Sequence, residues 1–281
     1  MHRFPAILLC LLAAAVAFAA EPHRVATYNI RFGSADDGPD AWPLRRDKVV
    51  ETIEDLDADI VGLQEALPFQ IAYLLKALPR YAAVGVSRED GRTEGEASPI
   101  LYDRTRYTLA GAETFWLSDT PGEPSNTWGA ACTRVCTRAR LVDLKSGQAV
   151  EVFNTHFDHV SQAARERSAR LIRSRLGSPP GTPVIVMGDF NAGEDTPEME
   201  TLRGPGSPIP LLDSYRAVHP EGPAGTFTGF RVDSDGGSQK IDAVLIGPGW
   251  RVRGAGMDRR KIEGRFPSDH FPVWAELEAA E

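Results

Sequence analysis

Residues capable of acid, base or metal chemistry recur at the ends of apolar segments in this 281-residue sequence. They are carboxylates, amides and imidazoles, and they form the groups Asn29, Gln64-Glu65, Asn154-Thr155-His156, Asp189-Phe190-Asn191, Asp242 and Ser268-Asp269-His270. Taken singly, each has an ordinary explanation as a turn or capping residue. Together they would concentrate negative charge at one rim of a sheet, which is costly unless a cation neutralises it.

The spacing of Asp189 and Asn191 suits the handling of a phosphate. In an extended chain, residues two apart lie on one face, roughly 6–7 Å from each other, which is wide enough to bracket one phosphate group. A carboxylate can orient a water molecule and take its proton, whereas an amide can bind a phosphate oxygen without adding repulsion. This pair is therefore compatible with attack of water on a phosphate ester.

The hydrophobic pattern predicts the elements that must position these residues. The first helix is expected to bury Leu44, Val49, Val50 and Ile53, which recur at helical spacing. Strands outnumber helices about two to one, which favours two mostly antiparallel sheets packed face to face with helices outside, in one domain. Strands are predicted near 24–32, 59–65, 81–87, 99–103, 107–117, 134–144, 149–156, 183–188, 226–229, 241–246, 250–257 and 271–277, and the main helices near 40–57, 68–78 and 161–176.

The first twenty residues are typical of a secretory signal peptide. Arg3 precedes an apolar run over 6–20, and Ala17 and Ala19 are the small residues that signal peptidase requires, so cleavage is expected after Ala19. A membrane anchor is the weaker alternative, because a spanning helix needs about 20 apolar residues. We therefore expect a signal peptide at 1–19, a single domain at 20–281, a periplasmic or secreted location, and no stable membrane insertion.

Charge and cysteine content narrow the chemistry further. The formal net charge is −8, so bulk attraction to nucleic acid is not expected, and any phosphate must be held by local arginines or a metal ion. Cys132 and Cys136, if both lie on one strand, would have Cα atoms roughly 13 Å apart, whereas a disulfide needs less than about 7 Å. They are expected to be small buried residues.

Six motifs resemble those of the endonuclease/exonuclease/phosphatase superfamily, which includes DNase I and the abasic-site endonucleases. They are YNIR, GLQE, NTHFDH, GDFN, KIDAVLI and SDHFPV, in the family's order and within residues 25–275. The segments SPILY and TFWLSDTP, with residues 128–134, further resemble an exported bacterial branch. The resemblance implies a DNase I-like four-layer α/β sandwich with its site at one rim of the two sheets.

The same resemblance implies a metal site. Asn29 in YNIR, Glu65 in GLQE and Asp269 in SDHFPV match the positions of the family's metal-binding residues. Oxygen ligands of this kind suit Mg²⁺, with Mn²⁺ as the alternative. Zinc is less well suited, because the sequence offers no set of cysteine or multiple histidine ligands.

Five further residues match the family's catalytic positions. Asp189 and Asn191 correspond to the pair that orients the attacking water and holds the phosphate. His270 corresponds to a phosphate-binding histidine, and Asp242 to the carboxylate that raises its pKa and fixes its tautomer. His156 corresponds to a second histidine facing the same phosphate.

The implied reaction is metal-dependent hydrolysis of a phosphate ester. Arg134 is either a bidentate phosphate clamp or a surface arginine on a strand. We expect a phosphodiesterase or nuclease-type enzyme acting on nucleic acid or a small phosphodiester, and no protein partner is implied. Two alternatives stay open at this point: a phosphatase for a small sugar or inositol phosphate, and a module that binds phosphate ligands without catalysis.

Overall fold

The computed structural model describes residues 21–177, 180–204, 206–207 and 209–280. The expected signal peptide lies outside these residues. The helices within them are too short or too polar to cross a membrane. In chain order the elements are β1 His23–Asn29, α1 Trp42–Leu56, β2 Ile60–Gln64, α2 Pro68–Ala77, β3 Tyr81–Val84, β4 Ile100–Asp103, β5 Tyr107–Trp116, β6 Val135–Asp143, β7 Ala149–His156, α3 Gln162–Arg175, β8 Val184–Asp189, α4 Pro197–Arg203, β9 Leu212–Asp213, α5 Ser214–Val218, β10 Asp242–Ile246, β11 Trp250–Met257 and β12 Val273–Ala279.

The strands form two six-stranded sheets. The first has the order β11-β12-β1-β2-β4-β3, and the second has the order β5-β6-β7-β8-β10-β9. β1 runs parallel to β2, and β7 runs parallel to β8. The other pairings are antiparallel. Two mostly antiparallel sheets are therefore confirmed, with one parallel pair near the middle of each.

Three apolar cores separate four layers. The core between the sheets joins residues such as Val25 and Ile60 of the first sheet to Val152 and Ile185 of the second. A second core packs the outer face of the first sheet against α1 and α2. The third packs the outer face of the second sheet against α3 and α4. This is the helix–sheet–sheet–helix sandwich that the resemblance implies, and it is the DNase I-like fold.

Helix α1 corrects one prediction about the core. Val49 and Ile53 are buried as expected and Val50 is partly buried, but Leu44 is 64% exposed. Leu44 lies five residues before Val49, which is about 140° around a helix of 3.6 residues per turn, so it faces away from the sheet. Arg45 lies on the buried face instead.

Two other local predictions differ from the structure. The segment 226–229 makes only an isolated bridge between Phe227 and His270 instead of a strand. Cys132 precedes β6 in a loop, so it does not share a strand with Cys136. Both thiols are free, and Cys136 is buried while Cys132 is half-buried. A turn-rich loop carries no periodicity that would have shown this in the sequence.

Candidate active site

The two parallel strand pairs bring the polar strand ends to one edge of the sandwich. In the second sheet, His156 at the end of β7 pairs with Asp189 at the end of β8, and Asp189 pairs with Asp242 at the start of β10. In the first sheet, Asn29 at the end of β1 pairs with Gln64, and Glu65 follows directly. The polar groups converge because parallel strands end at the same edge and an antiparallel neighbour begins there.

Glycine at position 188 allows this arrangement. A Cβ atom added to Gly188 would lie 2.1 Å from the backbone oxygen of Thr155 on β7. Only glycine tolerates such a close approach of two backbones. The glycine of GDFN therefore sets the position of the following carboxylate, Asp189, beside His156.

On one side of the site, acids from both sheets gather around an amide. Asn29 Nδ2 donates hydrogen bonds to Glu65 Oε1 (3.1 Å) and to Asp189 Oδ2 (2.9 Å). The guanidinium of Arg31 lies 4.0 Å from Glu65 Oε2 and 4.0 Å from Asp269 Oδ2. Burial raises the pKa of Asp269, and the nearby Glu65 carboxylate raises it further. The side-chain oxygens of Asn29, Glu65 and Asp269 are the kind of ligand that a hard divalent cation such as Mg²⁺ prefers.

On the other side, Asp189 lies among histidines and an amide. Asp189 Oδ2 is 3.4 Å from His156 Nε2 and 3.7 Å from His270 Nε2. Its Oδ1 accepts a hydrogen bond from the backbone N–H of Asn191 (2.9 Å), and the Nδ2 of Asn191 lies 2.9 Å from His156 Nε2. His270 Nδ1 lies 2.9 Å from Asp242 Oδ2.

This packing shifts the pKa values of the two histidines in opposite directions. Burial acts to lower the pKa of His270, but the carboxylates of Asp242 and Asp189 outweigh it and hold the pKa well above its usual value. Burial and the nearby guanidinium of Arg134 lower the pKa of His156 well below its usual value. His270 is therefore an imidazolium near neutral pH, and His156 is a neutral imidazole.

The pKa of Asp189 lies near neutral pH. Burial, and secondarily the carboxylate of Asp242, raise the pKa of Asp189 to about 7. The ligand atoms of Asp189, Asp242 and His270 lie within 4.8 Å of one another and could themselves hold a metal ion. A cationic side chain lies beside each acid group: His270 beside Asp189 and Asp242, and Arg31 beside Glu65 and Asp269.

Arg134 is buried, which excludes the surface alternative. The residue is 5% exposed. Its Nη2 lies 3.0 Å from His159 Nδ1, and its Nε lies 3.9 Å from Asp158 Oδ2. The loop that follows β7 therefore holds the guanidinium at the pocket wall.

These groups line one pocket of about 430 Å³. Seven of the nine predicted site residues form its wall: Glu65, Arg134, His156, Asp189, Asn191, Asp269 and His270. Asn29 and Asp242 lie directly behind the wall, hydrogen-bonded to Glu65 and His270. Gln64 and Asn154, which the sequence pattern grouped with these residues, instead bond to each other between the sheets at 2.6 Å.

Several pocket residues were not singled out as site residues from the sequence. They come from loops, where charged and aromatic side chains look like ordinary solvated positions. Glu96 stands two residues before the SPILY segment, but that position by itself indicates no chemical role. The additional residues are Arg31, Phe32, Arg88, Glu96, Cys132, His159, Phe227 and Ile241.

The chain is thus a sandwich of two six-stranded sheets in which carboxylates and histidines line a pocket at one edge. The chain belongs to the endonuclease/exonuclease/phosphatase family, because a model of that family matches residues 26–270. Members of this family are generally phosphoester hydrolases.

Solved structures and curated relatives agree with this assignment. A family protein from Bacteroides thetaiotaomicron is 32% identical, with a TM-score of 0.84 over 92% of this chain and 95% of that one. A mannosyl-6-phosphatase of the same organism is 32% identical, with a TM-score of 0.82 over 91% of this chain and 99% of that one. Nocturnin of Drosophila melanogaster is 24% identical over 84% of this chain. The chain spans only 42% to 63% of the length of the curated relatives it matches.

Proposed function

We propose that the protein is a divalent-cation-dependent phosphoester hydrolase. The observation that carries this proposal is the position of Asp189, a buried carboxylate held by Asn29 and lying within 3.7 Å of two histidines. A carboxylate with its pKa near 7 is suited to orient a water molecule and take its proton at neutral pH.

The surrounding residues have distinct parts in the proposed reaction. Asn191 and the neutral His156 hold a phosphate oxygen. The His270 imidazolium, kept charged by Asp242, stabilises the negative charge that develops on phosphorus and donates the proton that the leaving oxygen needs. The oxygen of the attacking water forms the new bond to phosphorus as the bond to the leaving oxygen breaks.

The acid cluster would hold the cation. Glu65 and Asp269 supply two carboxylates, and Asn29 Oδ1 supplies a carbonyl oxygen that also accepts the backbone N–H of Arg31 (3.0 Å). When bound, a divalent ion supplies positive charge for a non-bridging phosphate oxygen and for the leaving oxygen. Mg²⁺ is the proposed ion, with Mn²⁺ as a substitute.

The test is hydrolysis of p-nitrophenyl phosphate and bis-p-nitrophenyl phosphate with Mg²⁺, with EDTA, and after Mg²⁺ is restored. We expect EDTA to reduce turnover by about a hundredfold or more, and added Mg²⁺ to restore it. Asp269→Asn should reproduce the loss, whereas the exposed Glu51→Gln should not. Turnover that persists in EDTA would reject the proposed cation dependence. Binding of Mg²⁺ and phosphate by calorimetry without any turnover would favour a non-catalytic module.

The pocket favours a small phosphomonoester over nucleic acid. Its arginines Arg31, Arg88 and Arg134 each have a carboxylate within 4.0 Å, whereas nucleic-acid grooves use arginines and lysines that neutralise backbone phosphates. The likeness to a mannosyl-6-phosphatase supports the same choice. A phosphatase for a small phosphate ester is therefore preferred to the nuclease-type reaction expected from the motifs.

Export is a separate proposal that rests on the sequence of residues 1–20. We expect the mature chain to begin at Ala20 and to be recovered outside the cytoplasm. Mass spectrometry of the N-terminal peptide from fractionated cells tests this. Recovery of a cytoplasmic chain that retains residues 1–19 would contradict it.

A further inference from the structure

The pocket extends beyond the groups that the proposed reaction uses. Arg88 and Glu96 line it, as does Phe227. Its volume of about 430 Å³ is within the range of small-molecule sites. These three residues are therefore placed to contact the part of a substrate that leaves when the phosphate ester is cleaved.

The first feature of this region is an ion pair beside the acid cluster. Arg88 Nη1 donates to Glu96 Oε2 at 2.8 Å, and both side chains are largely buried, at 14% and 17% exposed. Backbone hydrogen bonds between Ala66 and Ala97 (2.8 and 3.3 Å) join the loop to the residue after Glu65. The pair is thereby held next to the proposed cation site.

Such a pair suits hydroxyl groups better than a second phosphate. A guanidinium only donates hydrogen bonds and a carboxylate only accepts them, so together they satisfy two neighbouring hydroxyls. The negative charge of Glu96 would also repel an additional phosphate, as in a polynucleotide or an inositol polyphosphate. Arg88 and Glu96 therefore favour a neutral leaving group that carries several hydroxyls.

The second feature is an aromatic wall. The ring of Phe227 is 5.0 Å from the ring of His270, centroid to centroid, and the residue is 42% exposed. The C–H face of a sugar ring can pack on such an aromatic face while its hydroxyls bond to polar groups. An aromatic surface and an ion pair in the same small pocket are the two kinds of contact that a pyranose requires.

We infer that the substrates are monophosphates of neutral hexoses, with the sugar recognised by Arg88, Glu96 and Phe227. This inference rests on the proposed function. In the reaction, water attacks phosphorus, the bond between phosphorus and the sugar oxygen breaks, and that oxygen takes a proton. The products are a free hexose and inorganic phosphate.

The first experiment compares kcat/KM for hexose 1- and 6-phosphates, glycerol phosphate, nucleoside monophosphates, inositol trisphosphate and p-nitrophenyl phosphate, all with Mg²⁺. At least one hexose phosphate should exceed every other class by about tenfold or more, which corresponds to one or two well-placed hydrogen bonds. Hydrolysis of aryl esters without preference for hexose phosphates would overturn the sugar assignment and leave the proposed function intact. No hydrolysis of any ester would reject the proposed function itself.

The second experiment uses Glu96→Gln, with the exposed Glu94→Gln on the same loop as its matched control. The ratio of kcat/KM for the preferred hexose phosphate to that for p-nitrophenyl phosphate should fall about tenfold in Glu96→Gln and stay unchanged in Glu94→Gln. Phe227→Ala, which removes the exposed aromatic face, should lower the same ratio. An equal loss on both substrates would overturn the inference, because Glu96 and Phe227 would then act on the reaction centre and not on the sugar.

Discussion

At the scale of single residues, the chemistry of the site depends on which of its neighbouring acids and histidines carry a proton. The carboxylate of Asp242 lies 2.9 Å from the ring of His270, and Asp189 faces both histidines. Burial makes each unpaired charge costly, so the protonation state of one group depends on the next. The proposed acid and base are therefore properties of the cluster.

The first prediction concerns the acidic side of the pH profile. Because the pKa of Asp189 is raised to about 7, the carboxylate takes a proton as the pH falls through that value, and the proposed base is lost. The value of kcat/KM for p-nitrophenyl phosphate should therefore rise with pH across a limb centred near pH 7. A flat profile between pH 5 and 8 would show that Asp189 does not act as the base.

The second prediction concerns Asp242→Asn. The raised pKa of His270 depends on the Asp242 carboxylate, so the variant should lose the imidazolium at a lower pH than the parent protein. We expect kcat to drop by about a hundredfold near pH 8, with partial recovery as the pH is lowered. A uniform loss at all pH values, or an altered far-ultraviolet circular dichroism spectrum, would instead indicate a structural role.

At the scale of elements, one buried arginine joins the loops that carry the proposed metal ligands. Arg45 on α1 donates hydrogen bonds to the backbone oxygens of Ile30 (2.7 Å), Arg31 (2.9 Å) and Pro267 (3.2 Å). A fourth goes to Asp40 (2.8 Å). The first two oxygens follow Asn29, and the third precedes Asp269 by two residues, so α1 aligns both halves of the acid cluster.

The third prediction is that Arg45→Lys weakens cation binding. A lysine ammonium cannot reach four separated carbonyls, and leaving some of them unbonded should cost about 2–4 kcal/mol of stability. The Mg²⁺ concentration giving half-maximal activity should rise about tenfold. Arg46→Lys, one position along and exposed, is the control and should change neither quantity. Unchanged Mg²⁺ dependence in Arg45→Lys would show that α1 does not position the proposed metal ligands.

At the scale of the whole molecule, stability depends on contacts between the sheets as well as on the apolar cores. The buried His23 on β1 hydrogen-bonds the hydroxyl of Tyr107 on β5, in the other sheet. Burial, and secondarily Arg106, lower the pKa of His23 to about 4. The folded protein therefore keeps His23 neutral, while the unfolded chain takes up a proton near pH 6.5.

The fourth prediction follows from that difference. The stabilisation from neutral His23 is fully present above about pH 6.5 and is lost as the pH falls toward 4, because only the unfolded chain binds the proton in that range. Urea denaturation at pH 7.5 and 4.5 should show the parent protein losing about 2 kcal/mol more than His23→Asn, which retains an acceptor for Tyr107 but cannot titrate. Equal losses in the two proteins would contradict the prediction.

Much of this protein could be predicted from its sequence. Local periodicity indicated nearly every strand and helix, and the polar groups after apolar segments indicated Glu65, His156, Asp189 and Asp269, because secondary structure and strand ends depend on nearby residues. The failures were positions with weak local signals, such as Leu44 in the first turn of α1 and the irregular segment 226–229.

Only the tertiary structure decided which residues share the pocket and how they titrate. Arg88 and Glu96 lie on one loop, and Phe227 lies on another loop far along the chain. No local pattern marks their meeting beside Glu65 and His270. The opposite pKa shifts of His156 and His270 likewise arise from burial and from charges a few ångströms away. Such distances depend on how the two sheets pack together, and they determine both the proposed reaction and the choice of substrate.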